Sequence, residues 1–258
     1  MRTPLRSRLA PSGTAAAVPW LLAAATIGAQ VAYPLVEGES LRRVTIAVVV
    51  LFFAASVTHA AVHRGVAWAA GLVVVSAGGG FAAEAVGLRT GLPFGDYSYA
   101  GTLGPELLGV PAVVPLAWTM MAYPLLLAGR RLSRRFGWLV AGYGLAAWDV
   151  FLDPQMVDDG HWRWADPTPA LPGVRGVPLT NYAGWLLVGV VMMAVLDRLL
   201  PRRDADEAQP AVLLVWTWAG SVVGNLFWFG SREIALAGGV ALGLVVIPYA
   251  WALWQSRP

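Results

Sequence analysis

The chain has 258 residues, 57% of them hydrophobic and 13% charged, with a mean hydropathy of +0.61. Soluble domains carry about 25% charged residues, so a soluble globular fold is excluded, and a net charge of +3 parked in short polar segments gives no footprint for nucleic acid. The absence of cysteine excludes disulfides, thiolate chemistry and iron–sulfur ligation.

Apolar runs of bilayer-spanning length recur from end to end. They predict an all-α polytopic membrane bundle, a single integral domain over 1–258, with about eight spans at 14–36, 43–62, 66–87, 109–129, 136–152, 183–200, 211–229 and 233–254. The first run follows the basic segment MRTPLRSRLAPSG. It is long and lacks a cleavage pattern, so it reads as a first span and not a signal peptide. All 18 basic residues are arginine. With the N-terminus inside, Arg2, Arg6, Arg8, Arg64, Arg130, Arg131, Arg134, Arg135, Arg198, Arg202, Arg203 and Arg257 face the cytoplasm, and the remaining arginines face out. The positive-inside rule selects that orientation, with both termini cytoplasmic in a cell membrane. The two long loops, 88–108 and 153–182, then share the outer face and are expected to fold back onto the bundle.

In chain order, the first chemically informative residues are His59 and His63. Their spacing suits a metal pair, but they sit at the inner end of span 2. The only other histidine, His161, belongs to the far side, so no metal site is expected. Span 3 ends in Glu84. The loop behind it reads GLPFGDYSYAG, with Asp96 among Phe94, Tyr97 and Tyr99. Span 4 opens with GVP and contains Trp118. Span 5 carries Asp149 and, four residues on, Asp153; Pro154 predicts that the helix stops about there. The next loop, DDGHWRW, holds Asp158, Asp159, His161, Trp162 and Trp164. Then come GVP again, Asn181 and Trp185. Gly78-Gly79-Gly80 and Gly220–Gly224 read as close helix contacts, and Asn225 as an interhelical hydrogen bond.

Two segments align. A shift of 65 residues places Glu84 on Asp149, Gly95 on Gly160, Tyr97 on Trp162 and Tyr99 on Trp164. After two inserted residues, Gly109-Val110-Pro111 falls on Gly176-Val177-Pro178 and Trp118 on Trp185. Residues 66–129 and 136–200 therefore read as parallel repeat copies about an axis along the membrane normal, with a pocket at their interface. Acids inside spans are costly and mark sites. A poorly solvated carboxyl there stays protonated and can serve as an acid. Asp153, Asp158 and Asp159 read equally well as loop caps, and the aromatics as an interfacial belt. In matching places, however, aromatics form a slot for a flat apolar ligand.

The segments EAVGLRTGLPFGDYSY, GVPAVVPLAW, DVFLDPQMVDDGHWRW and GVPLTNYAGW resemble the integral-membrane carotenoid biosynthesis family, which includes hydratases of the γ-carotene and bisanhydrobacterioruberin type. The likeness covers about residues 40–255. It implies addition of water to the terminal 1,2 double bond of an acyclic carotenoid, without a redox cofactor, on a lipophilic substrate amid membrane lipid, and it leaves room for association with other carotenoid enzymes. The repeat is also similar to small membrane lycopene cyclase domains, which share the protonation step. A non-catalytic carotenoid-binding or transport scaffold is the alternative from another class. The resemblance assigns no catalytic residue. From the residues themselves, Asp149 is expected to donate the proton with Asp153 as relay, and Glu84 with Asp96 to orient water. Phe94, Tyr97, Tyr99, Trp118, Trp162, Trp164, Asn181 and Trp185 are expected to bind substrate. Asp158, Asp159, His161 and Asn181 are expected to hold water at the mouth.

Overall fold

The computed structural model describes residues 13–256. Eight helices follow in order: α1 (Gly13–Ala32), α2 (Gly38–Arg64), α3 (Val66–Thr90), α4 (Val113–Leu132), α5 (Gly137–Asp158), α6 (Leu179–Leu199), α7 (Ala208–Phe227) and α8 (Arg232–Gln255). Between α3 and α4 lie the short strands β1 (Tyr97–Tyr99), β2 (Glu106–Leu107) and β3 (Val110–Pro111), and β4 (Trp162–Trp164) follows α5. Seven helices are long and apolar enough to cross a membrane. The eighth, α5, has 22 residues, about 33 Å at 1.5 Å per residue, but Asp149 and Asp153 dilute its hydropathy. Leu21, Val66, Val74, Leu236 and Leu244 are exposed on the outer faces of their helices, where lipid takes the place of protein. The chain is a multi-pass helical membrane protein.

α4 is the enclosed element. Every residue from Trp118 to Gly129 is buried, and α2, α3, α5, α7 and α8 pack around it. Close approach is built from small residues. A Cβ on Gly80 would sit 2.5 Å from ring atoms of Trp118, and one on Gly129 would meet the Gly137 carbonyl oxygen at 2.1 Å.

The helix α5 does not stop at Pro154. Proline removes one backbone N–H but leaves the following turn free to form, and α5 runs on to Asp158. Its end is set by Gly160, whose φ of +73° suits glycine. The His161 N–H donates to Met156 O at 2.8 Å and the Gly160 N–H to Val157 O at 3.0 Å. This is the paired closure of a Schellman end. Asp149 and Asp153 consequently lie on one face of a continuous helix.

Both long loops fold onto one end of the bundle. β1 pairs antiparallel with β4 in the register Tyr97 opposite Trp164, Ser98 opposite Arg163 and Tyr99 opposite Trp162. Outside it, Ala100 N–H donates to His161 O at 2.9 Å and Ala165 N–H to Asp96 O at 2.8 Å. The shift of 65 residues converts each of these two bonds into the other. It also matches Gly95 with Gly160, both at positive φ, and the second shift superposes Trp118 on its stacking partner Trp185.

The opposite end gathers the arginines. Arg64 donates to Arg203 O and Arg203 to Arg64 O, Arg130 holds Asp197, Arg131 holds Glu207, and Arg202 donates to Arg134 O. Arg2, Arg6, Arg8 and Arg257 of the orientation count, with the basic N-terminal segment, lie outside the described residues.

Candidate active site

Under the β1/β4 ribbon lies a slot with about 640 Å³ of empty space, its open mouth included. Its walls are the aromatics Phe94, Tyr97, Tyr99, Trp118, Trp162, Trp164 and Trp185, with Leu103, Val113, Val114, Met120, Leu152 and Met156. Four polar side chains besides the tyrosines line it: Thr45, Glu84, Asp153 and Asn181. All four are buried.

Glu84 is held by donors of its own half of the chain. Its Oε2 accepts from the Tyr97 hydroxyl at 2.5 Å and from the Tyr99 hydroxyl at 2.9 Å, and its Oε1 accepts from Trp118 Nε1 at 3.2 Å. The period of a strand explains the first two. β1 turns Tyr97 and Tyr99 to the same face and leaves Ser98 exposed. Burial and the adjacent Glu84 both push the two tyrosine hydroxyls above the usual phenol range, so they act as donors and do not ionise.

The second acid cluster differs. Asn181, in the first turn of α6, uses one Nδ2 to reach Asp149 Oδ2 at 2.8 Å and Asp153 Oδ2 at 2.5 Å. Asp149 Oδ1 is buried without a hydrogen-bond partner among the described residues. Trp162 Nε1 lies beside Asp153 but outside hydrogen-bond geometry. Arg89 is exposed and donates to Ala85 O. Among the described residues, no arginine forms an ion pair with any of the three acids.

The plane of Trp185 stacks on Trp118 at 4.0 Å and 12°, a contact of about 0.5–1.5 kcal/mol beyond burial. Trp164 Nε1 donates to Phe94 O at 2.9 Å and ties the ribbon to the turn before it.

The structure brings together Glu84, Asp153, Asn181 and all seven aromatics named from the sequence. Asp149 stands behind Asp153 and does not line the slot. Asp96 is exposed, on the Ser98 side of the ribbon, so its carboxylate points away from the slot. Of the residues expected at the mouth, only Asn181 lines the slot. Asp158 is exposed, Asp159 accepts a hydrogen bond from Tyr33, and His161 is buried against Thr102 Oγ1 at 2.8 Å. Burial holds the His161 imidazole below its usual value, against the opposing pull of Asp159. Thr45 and Val49 of α2 and Leu103 were missed. Thr45, a polar residue near the start of an apolar run, was the available signal.

The profile of the carotenoid biosynthesis protein family matches residues 45–248. The chain belongs to this family. The match takes in every residue that lines the slot. A curated relative, bisanhydrobacterioruberin hydratase of Haloarcula japonica, is 34% identical over 189 residues, covering 67% of this chain and 59% of its own. The chain thus spans less than two thirds of that relative's length. No solved structure matches the chain.

Proposed function

We propose that the protein is a carotenoid hydratase, which adds water across the terminal 1,2 double bond of an acyclic carotenoid end group by acid catalysis through a tertiary carbocation. The observation that carries this reading is one aromatic slot lined by two differently equipped carboxyl groups. The similarity to a bisanhydrobacterioruberin hydratase supports it.

The two acids divide the work by their surroundings. Glu84 is buried, which penalises its charge, and it accepts three hydrogen bonds that work against this penalty in favour of a carboxylate. Asp149 and Asp153 share one amide donor and no cation, and two buried like charges cannot easily coexist, so the pair keeps a proton between them. Asp153 is the member that meets the slot. It gives that proton to C2 of the alkene, and the positive charge forms on the more substituted C1. The aromatic walls of the slot attract a cation through their π-faces. Water adds its oxygen to C1 and loses a proton to Glu84. Proton exchange through the mouth restores both acids. Asp149 acts through Asp153 as a positioning residue, and Tyr97, Tyr99 and Trp118 act through Glu84.

We further read residues 66–129 and 136–200 as two repeat copies, and place the protein in the cell membrane with both termini cytoplasmic. The experiment is expression in cells that make bisanhydrobacterioruberin or lycopene, with pigment mass as the readout. A gain of one water per end is expected. An isomer of unchanged mass would make the protein a cyclase, with the C5–C6 alkene attacking the cation in place of water. Unchanged pigment, with the protein present in the membrane, would make it a scaffold.

A further inference from the structure

The other end of α2 carries a histidine pair that the slot does not use. His59 is fully buried. Fourteen residues separate it from Thr45 at the slot, about 21 Å along the helix. Its Nδ1 lies 2.7 Å from the Tyr123 hydroxyl, while its Nε2 is buried without a hydrogen-bond partner among the described residues. An orphaned buried ring nitrogen is costly and asks for an occupant. His63, one turn on, stacks on His59 at 4.2 Å and 22°, which brings the two imidazoles to the same side of the helix.

The sequence supplied no third ligand near this pair. The structure does, from the connector between α6 and α7. One ligand atom each from His59, His63 and Asp206 lies within 4.8 Å of the others. The connector is pinned there: Arg64 and Arg203 exchange hydrogen bonds with each other's carbonyls, and Trp68 Nε1 donates to Pro201 O at 3.1 Å. Arg64 does not oppose a cation with a free charge, because its Nη2 lies 3.7 Å from Glu207 Oε1 and its Nε donates to Tyr123.

We propose that His59, His63 and Asp206 bind a divalent transition-metal cation of the zinc type. Two imidazoles and one carboxylate are a three-ligand set that leaves an open position for water. A hydroxyl on the second nitrogen of His59 is the kind of outer partner that orients a ligating imidazole. The cation ties the connector to α2, so the site is a clip between sequence-distant elements, separate from the slot.

The test is titration of zinc into the full-length, chelator-stripped protein in detergent, followed by calorimetry and repeated with cobalt for its absorption spectrum. One equivalent is expected to bind saturably, with cobalt bands of a four-coordinate site. His63→Asn and Asp206→Asn alter an incompletely buried and an exposed position, so they test ligation without emptying the core. Each is expected to weaken binding by about tenfold or more, the scale already seen for loss of an outer partner. Asp204→Asn, on the same connector, is expected to bind as wild type does. No saturable binding to the wild type, or binding that neither variant weakens, overturns the proposal. Neither result bears on the reaction in the slot.

Discussion

Removing the hydroxyls that hold Glu84 tests whether that carboxyl works as an anion. Tyr97→Phe and Tyr99→Phe each delete one oxygen from a buried ring and leave the ring packing in place. A hydrogen bond to a charged group contributes about 1.5–3 kcal/mol, and one between neutral groups about 0.5–1.5. At about 1.4 kcal/mol per factor of ten, an ionised Glu84 predicts a loss of roughly ten- to 150-fold per hydroxyl. A neutral Glu84 predicts about two- to tenfold. The 2.5 Å bond from Tyr97 should matter more than the 2.9 Å bond from Tyr99. The double variant leaves only Trp118 Nε1 at 3.2 Å and should approach the effect of Glu84→Gln, about a hundredfold, the scale for losing a general base. The assay is product formed per amount of folded protein in isolated membranes. Both single variants within about threefold of wild type, beside an inactive Glu84→Gln, would refute an ionised Glu84.

Three further outcomes are expected. Asp153→Asn should cut turnover by about a hundredfold or more, and Asp149→Asn by less because it does not line the slot, whereas the exposed Asp158→Asn should change little; an inactive Asp158→Asn beside a wild-type Asp153→Asn would move the chemistry to the loop. Gly80→Ala drives a Cβ into Trp118 and should cost about 1–3 kcal/mol of stability with a parallel loss of product, while Gly78→Ala, with nothing within 4 Å, should melt no lower than wild type. Reporter fusions after Arg135 and Arg203 should read cytoplasmic and fusions near Thr102 and Pro169 external, and the reverse pattern would overturn the orientation.

Much of this was legible in the residues. Hydropathy located the helices because a span must be apolar for its full length, but it placed the start of α2 at 43 when the helix begins at Gly38. Its first turn is polar, with Glu39 pairing to Arg42 and Arg43, and an apolar-run criterion cannot see such a turn. Pro154 misled for a related reason. A local rule about one N–H does not know that Gly160 and His161 close the helix six and seven residues later. Which of the two aspartates lines the slot is a matter of how α5 packs against its neighbours, so the ranking of Asp149 over Asp153 could not be read locally. Asp96 was misplaced although the signal was present: a strand that turns Tyr97 and Tyr99 inward must turn residues 96 and 98 outward.

Among the described residues, the hydrogen bonds around the two acid clusters never cross between halves of the chain. Glu84 is held by Tyr97, Tyr99 and Trp118, and the aspartates by Asn181. The short link between α4 and α5 lies at the opposite end from the slot. During synthesis, every donor to the first acid has therefore emerged once α4 has, before any of α5 exists, and the ribbon that fixes Tyr97 and Tyr99 forms when β4 arrives. Assembly of the site then reduces to docking two halves, with the β1/β4 ribbon as the seam. A chain cut within residues 133–136 and made as two polypeptides should for this reason still be able to reunite in the bilayer.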